Sequence, residues 1–242
     1  MPGIATENYW FRRHEVAYLA ARPWVRGATV IAAGAGEGFG ADVLARVARR
    51  VIAVDSDAAA CEHAAKAYPA LTVTRADLVE LPFAAGTVDA VVSLQVLAHL
   101  PDRAGFLAEC ARVLRPAGTL VLSTPNRLTS APGPDATAGA RPAGEELSPA
   151  ELTELLEPRF RVDRLYGIHH RGRLRRLDRR YAHVVPPVPA PVGFVAAQLA
   201  SPAATWHPSL RRAVASVTHR DFTFTEQNVD AALDLFVVAV RS

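Results

Sequence analysis

The chain is poor in cysteine, lysine and methionine. Its 242 residues hold 2 cysteines, Cys61 and Cys110, a single lysine, Lys66, and 1 methionine. Both cysteines fall in segments that read as helices, so a disulfide-stapled fold is excluded and no metal-binding spacing is seen. No apolar run approaches the ~20 residues that a membrane span requires. The opening Met1-Pro2-Gly3-Ile4 lacks a basic stretch followed by an apolar one, so no secretory signal is read and a cytoplasmic location is expected. The formal net charge is +3, carried almost wholly by arginine. Arg171, Arg173, Arg175, Arg176, Arg179 and Arg180 crowd one segment. No aromatic residues interleave there as a base-stacking platform demands, so the segment reads as a solvated helix face and nucleic acid is not expected as a partner. What the chain has in quantity is apolar surface: 50% of it is hydrophobic, enough for one large core.

Short apolar runs alternate with helical patterns. A helix is expected over Asn8–Ala21, stopping before Pro23. Strands are expected at 29–33, 51–54, 71–74, 88–93, 119–123, 160–166 and 233–240, with helices at 41–48, 57–67 and 103–114 between them. The last of these helices should end at Pro116 and Gly118. Ser148-Pro149-Ala150-Glu151 reads as a capping box that starts another helix. The stretch 127–144 is rich in Pro, Gly and Ala and reads as a loop. The pattern predicts an α/β fold: a doubly wound, Rossmann-like sheet of seven strands with the last antiparallel. We read one domain, with an N-terminal cap (1–25), a core (26–168), a helical lid inserted at 169–229, and a final strand (230–242). About sixty residues between the last two strands exceed an ordinary connection, and such insertions commonly carry specificity.

The chemistry-bearing signal is Gly34-Ala35-Gly36-Glu37-Gly38, directly after the first strand. Glycines there let a ligand approach backbone N–H groups closely. Dinucleotide sites prefer G-x-G-x-x-G/A, and the position of its third small residue is here Phe39. Asp55 ends the second strand about twenty residues on, where a carboxylate accepts from ribose hydroxyls; Ser56 adjoins it. Asp77 follows the third strand, placed to accept from an adenine amino group while the N–H of Leu78 meets the ring.

Residues 29–125 resemble the class I S-adenosylmethionine-dependent methyltransferase core. The likeness lies in Val30-Ile31-Ala32-Ala33-Gly34-Ala35-Gly36-Glu37-Gly38, Val51-Ile52-Ala53-Val54-Asp55, Val88-Asp89-Ala90-Val91-Val92-Ser93, Ala98-His99-Leu100 and Cys110–Gly118. It implies S-adenosylmethionine as cofactor and S-adenosylhomocysteine as product, with Gly34, Ala35, Gly36, Gly38, Asp55, Ser56, Asp77 and Leu78 around the nucleoside. It also implies that Ser93, Leu94 and Gln95 line the methionine part. A narrower resemblance spans nearly the whole chain. Glu7–His14, Ser123–Arg127, His170–Asp178 and Leu233–Arg241 resemble actinobacterial methyltransferases associated with the methylglucose lipopolysaccharide gene cluster. That likeness implies O-methylation of a sugar or oligosaccharide; separately, a monomer or homodimer is expected. Two departures stand out: Ala32 and Ala98 occupy positions where the class I family commonly has acidic residues. They keep open a non-catalytic relative, beside a methyltransferase for another small molecule such as a polyketide, lipid or quinone.

Transfer to a hydroxyl needs a base, and histidine suits neutral pH. His99, after the fourth strand, is the first candidate for general base; His14 and His170 are the others, with His170 ranked above His169. Tyr9, Trp10, Arg13, Asn126 and Arg173 are the candidate substrate contacts. No metal site is read. Mg²⁺ needs only one or two carboxylates, but nothing in the sequence supports it.

Overall fold

The computed structural model describes residues 3–129, 146–182 and 193–242. The expected loop at 127–144 falls mostly outside them. Helix α1 (Asn8–Ala21) runs into a 3-10 turn at Arg22–Val25 that places Pro23 in its first turn, where a missing N–H costs nothing. There follow β1 (Thr29–Ala33), α2 (Phe39–Ala45), β2 (Arg50–Asp55), α3 (Ala58–Ala67), β3 (Thr72–Arg75) and β4 (Val88–Leu94). Then come α4 (Arg103–Val113), β5 (Leu114–Pro125), α5 (Pro149–Leu156) and β6 (Phe160–His170). The chain closes with α6 (Arg173–Arg180), α7 (Gly193–Leu199), α8 (Pro208–Ala215), β7 (Phe222–Thr225) and β8 (Asp234–Arg241).

The strands form one mixed sheet in the order β3-β2-β1-β4-β5-β8-β6-β7. β1 pairs in parallel with β2 and with β4, β2 with β3, and β4 with β5. The chain therefore winds outward from β1 to β3, then returns to β4 on the other side. Such a reversal opens a crevice beyond the carboxyl ends of β1 and β4, where open α/β sheets bind ligands. The near-continuous apolar runs of β1 and β4 are explained by burial: Val30, Ile31 and Val91 are fully covered.

Four expectations change. The sheet has eight strands, not seven. The extra one, β7, lies inside the stretch expected to be a helical lid, and pairs antiparallel with the end of β6. Its Phe222-Thr223-Phe224-Thr225 alternates with the two-residue period of a strand, but four residues are too few to stand out. β6 continues to His170, so His169 and His170 are strand residues and not the start of an insertion. Finally, α4 stops at Val113 and β5 begins at once. Residues 115–118 bulge where the register jumps from Val88↔Leu114 to Ala90↔Thr119, with Ala117 at φ 59°.

The chain forms two compact units. One comprises Ala17–Thr124, Ala150–Leu165 and Phe236–Ser242; the other comprises Met1–Val16, Pro125–Pro149 and Tyr166–Leu235. In the first, Phe106, Leu107 and Val113 of α4 and Leu120 and Leu122 of β5 are buried beside the β1 and β4 side chains. In the second, Tyr9 is the centre of an aromatic cluster, with its ring 5.6 Å from Phe194 and 5.7 Å from Phe222.

The first unit contains a tight contact that fixes α1 on α2. A Cβ added at Gly40 would lie 2.0–2.4 Å from the ring atoms of Tyr18. Gly40→Ala should therefore destabilise the protein by about 1–3 kcal/mol in urea unfolding. Tyr18→Leu in the same chain should return part of that loss; strictly additive losses in the double variant would contradict the packing described.

Candidate functional site

The glycine loop leaves β1 at Ala33 and is anchored to β2. The N–H groups of Gly34 and Ala35 both donate to the Val54 carbonyl, at 2.8 and 3.0 Å. Gly34 adopts φ 72°, and a Cβ there would come within 2.4 Å of the Val96 side chain, so no other residue fits. Gly36 differs. It adopts φ 51°, yet an added Cβ would meet nothing within 4 Å. Its backbone faces open space, which is what close approach of a ligand requires.

Asp55 fixes this loop. Its Oδ2 accepts the Gly36 N–H at 2.7 Å, and its Oδ1 accepts the Asp57 N–H at 3.0 Å. Each oxygen keeps a further lone pair for a ligand hydroxyl. The cap of α3 is Asp57, not Asp55: Asp57 accepts from the N–H groups of Ala59 and Ala60. Tyr18, which the sequence reading passed over, stands near the loop. Its phenol is pushed up to about 12, first by burial and then by the charge of Asp55. Ser56 is exposed beside Asp55, and its carbonyl accepts from Arg75 at 3.0 Å. Asp77 is exposed; one oxygen accepts the Val79 N–H at 3.1 Å, while Leu78 is buried behind it. An open backbone at Gly36 beside a two-lone-pair carboxylate suits an adenosine ribose.

The residues expected along the methionine part are placed differently. Ser93 and Leu94 are buried in β4, and Ser93 Oγ has no hydrogen-bond partner among the described residues. Gln95 is half-buried; its backbone turns at φ 64° and its side-chain amide donates to the Ser123 hydroxyl at 3.3 Å. Ala32 is buried in β1, opposite Ala53 of β2 and Val92 of β4. His99 is exposed at the end of a 3-10 turn, Leu97–His99, just beyond β4.

In the second unit, most candidate substrate contacts are consumed by the fold. Arg13 makes a two-pronged ion pair with Asp234, at 2.5 and 2.6 Å, and donates to the Leu233 carbonyl at 2.9 Å. The pair is buried, and it holds the guanidinium charged well above its ordinary range. Asn126 is 0% exposed. Its amide donates to the carbonyls of Val229, Asp230 and Ala232 within 3.2 Å, and its Oδ1 accepts the Leu128 N–H. Arg173 donates to the Ser216 hydroxyl and carbonyl and to Asp221, at 2.7–3.0 Å. Arg13 and Asn126 are buried, whereas Arg173 keeps part of its side chain exposed. Trp10 is half-buried, with Arg13 stacked 5.4 Å from its ring centre, and His14 is exposed on α1.

His170 is also tied down. It is 5% exposed, with Tyr9 Oη 2.7 Å from Nε2 and Asp178 Oδ2 2.7 Å from Nδ1. Burial drives the Tyr9 phenol far above its ordinary value, so Tyr9 keeps its proton and donates it to Nε2. Nδ1–H then donates to Asp178. With both nitrogens occupied, His170 orients neighbours and is not free to take a substrate proton. Asp178 had no sequence signal, and neither did Asn8. The Asn8 amide donates to the carbonyls of Val214, Ala215 and Val217 at 2.8–3.1 Å, capping the end of α8.

The same unit contains a half-open cavity of about 350 Å³. Its polar lining includes His169, Arg175, Thr223, Thr225, Gln227 and Asn228. Ala231 and Leu233 supply apolar wall. The β6–β7 register places His169 opposite Thr223 and Gly167 opposite Thr225, on one face; His170 and Phe222 pair on the other. His169 is one of five described residues with a buried side-chain polar atom that lacks a partner, beside Arg22, Ser93, Thr124 and Gln198, and it is the one that lines the cavity. Its Nε2 is buried without a hydrogen-bond partner, which costs roughly 1–3 kcal/mol. Burial, then His170, then Arg175 hold its pKa below the ordinary value. Among the described residues there is no cluster of three metal-ligating side chains, and no helix long and apolar enough to cross a membrane.

Two outcomes follow for stability. Arg13→Met leaves Asp234 buried and unpaired, and should cost about 3–5 kcal/mol in urea unfolding; a loss below about 1 kcal/mol contradicts the buried pair. His169 gives a pH effect of known sign. The unfolded imidazole titrates near about 6.5 and the folded one lower. As pH falls below that value, the unfolded chain takes the proton first, so stability is lost until the folded pKa is passed. Urea midpoints measured downward from about pH 7.5 should fall more steeply for the parent protein than for His169→Phe; parallel profiles contradict this.

Comparison with known proteins places the cradle in context. Residues 31–122 match the family model described as a methyltransferase domain. A probable S-adenosylmethionine-dependent methyltransferase of Mycolicibacterium smegmatis is 44% identical over 245 residues, covering 100% of this chain and 92% of the relative. A Mycobacterium tuberculosis protein of the same description is 43% identical over 248 residues, covering 100% of this chain and 87% of the relative. The solved structure of a Thermotoga maritima S-adenosylmethionine-dependent methyltransferase, described as a possible histamine N-methyltransferase, covers 96% of this chain and 93% of its own. It superposes with a TM-score of 0.58 at 15% identity, a likeness of fold alone. With the glycine loop, its aspartate and full-length relatives in agreement, the chain belongs to the S-adenosylmethionine-dependent methyltransferases of the class I fold.

Proposed function

We propose that this methyltransferase acts on a hydroxyl of a sugar or oligosaccharide, in the cytoplasm, as a monomer or homodimer. The observation that carries the reading is the lining of the second unit's cavity. Hydroxyl, amide, imidazole, guanidinium and carboxylate groups make up about half of it and apolar surface the other half, the mixture that a sugar ring presents. A polyketide, lipid or quinone acceptor calls for a mostly apolar lining.

S-adenosylmethionine supplies a methyl group already activated on a sulfonium, so the hard chemistry belongs to the cofactor. The chain's residues have three tasks: to hold the nucleoside, to position the acceptor and to receive a proton. Gly36 and Asp55 are assigned the ribose, and Asp77 with Leu78 the adenine. His99, exposed beyond the carboxyl end of β4, is assigned as general base. His14 stays second, since it is exposed on α1. Ala32 and Ala98 leave no carboxylate at two positions, so a relative that binds the cofactor without transferring its methyl group is the second reading.

Two measurements test the proposal. Labelled S-adenosylmethionine should transfer its methyl group to methyl glucosides or maltooligosaccharides. Label appearing only in a quinone or fatty-acid acceptor rejects the sugar; tight cofactor binding with transfer to nothing supports the second reading. Asp55→Ala should weaken S-adenosylhomocysteine binding in calorimetry by about 1–3 kcal/mol, roughly 5- to 150-fold. An unchanged affinity removes Asp55 from the site.

A further inference from the structure

We infer that the cavity between β6, β7 and α6 is a carbohydrate-binding subsite in which the imidazole of His169 hydrogen-bonds a ring hydroxyl. The inference rests on the sugar reading above for its ligand class and goes further by naming the place and the group that reads the ligand.

The geometry begins with Gly167. A Cβ there would lie 2.6 Å from His169 Nε2 and 2.6 Å from the Ala232 Cβ. The glycine is therefore what lets the imidazole lie flat along its own strand, facing Thr223 across the ladder. His169 Nε2 is buried and has no hydrogen-bond partner among the described residues. A neutral imidazole has one donor and one acceptor, and a hydroxyl has the same pair. Tyr9 and Asp178 satisfy both nitrogens of the adjacent His170, whereas His169 waits for a partner from outside.

The other groups share this character. Thr225 accepts the Gln227 N–H at 3.0 Å, which leaves its hydroxyl proton to donate. Asn228 sits at φ 55° and ψ 40°, a left-handed conformation that asparagine tolerates, at the turn that borders the cavity. Arg175 adds a planar donor fork, and the carboxylate of Asp178, bonded to His170, lines the same cavity. Donors and acceptors are mixed, and Leu233 and Ala231 offer an apolar wall for C–H faces. A volume of about 350 Å³ is at the small end for ligand pockets and suits one or two rings better than a long chain.

The experiment is calorimetric titration of the full chain with methyl α-glucoside and with maltotriose, each in the presence of S-adenosylhomocysteine. Saturable binding is expected, weakened at least about tenfold by His169→Phe and by Gly167→Ala, with S-adenosylhomocysteine affinity unchanged in both. Thr223→Val, a smaller change, should also weaken the sugar if the first two variants do not fold. In the unmodified protein the His169 ring proton resonances should shift on adding the sugar. No saturable sugar binding, equal binding by inorganic phosphate alone, or sugar binding indifferent to all three variants overturns the inference. Its failure is separable from that of the sugar reading. Methyl transfer to sugars that persists in His169→Phe sinks this subsite alone; sugar binding here without transfer to any sugar sinks the reading and leaves the subsite.

Discussion

Asp55 holds two backbone N–H groups at once, one from the glycine loop and one from the start of the following helix. A hydrogen bond to a charged acceptor contributes about 1.5–3 kcal/mol, more than a neutral one. The carboxylate thus joins three things: the end of β2, the shape of the loop at Gly36, and the N-terminus of α3 through Asp57. Gly34 and Ala35 lock the same loop to the Val54 carbonyl from the other side. The result is a backbone turned outward at Gly36 with its geometry set before any ligand arrives, so binding need not order it.

The second unit shows where polar side chains go when they are not for ligands. Arg13, Asn126, Arg173 and His170 are chemically attractive, and each is spent on holding distant segments together. Arg13 and Asp234 are 221 positions apart, and Tyr9 and His170 are 161 apart. Buried polar groups must find partners, and here most of the partners lie far along the chain. What remains uncommitted is a different set, gathered around His169. Local satisfaction thus separates structural from candidate binding residues more sharply than residue type does.

Local signals were legible in the sequence. The bounds of α1 and β1, the glycine loop, and Asp55 at the end of β2 all rest on short-range periodicity, helix stops and spacing, and the structure has them where expected. Signals that depend on pairing were not. β7 is a four-residue strand whose identity comes from the β6 edge it joins. The extension of β6 to His170 has the same cause. Ser93 and Leu94 carried an expectation from family likeness alone, since their burial in β4 leaves no polar pattern to read. Asp178 and Asn8 gave no warning, because a capping or orienting contact across the fold leaves no trace in spacing.

The central claim is that the cofactor loop is preformed by Asp55. Amide hydrogen exchange at Gly36, in the protein without ligand, tests it most directly. The account predicts an N–H protected from exchange in the parent chain and released in Asp55→Ala. Exchange at Gly36 as fast as in an unstructured peptide, with S-adenosylhomocysteine needed to slow it, would contradict the account.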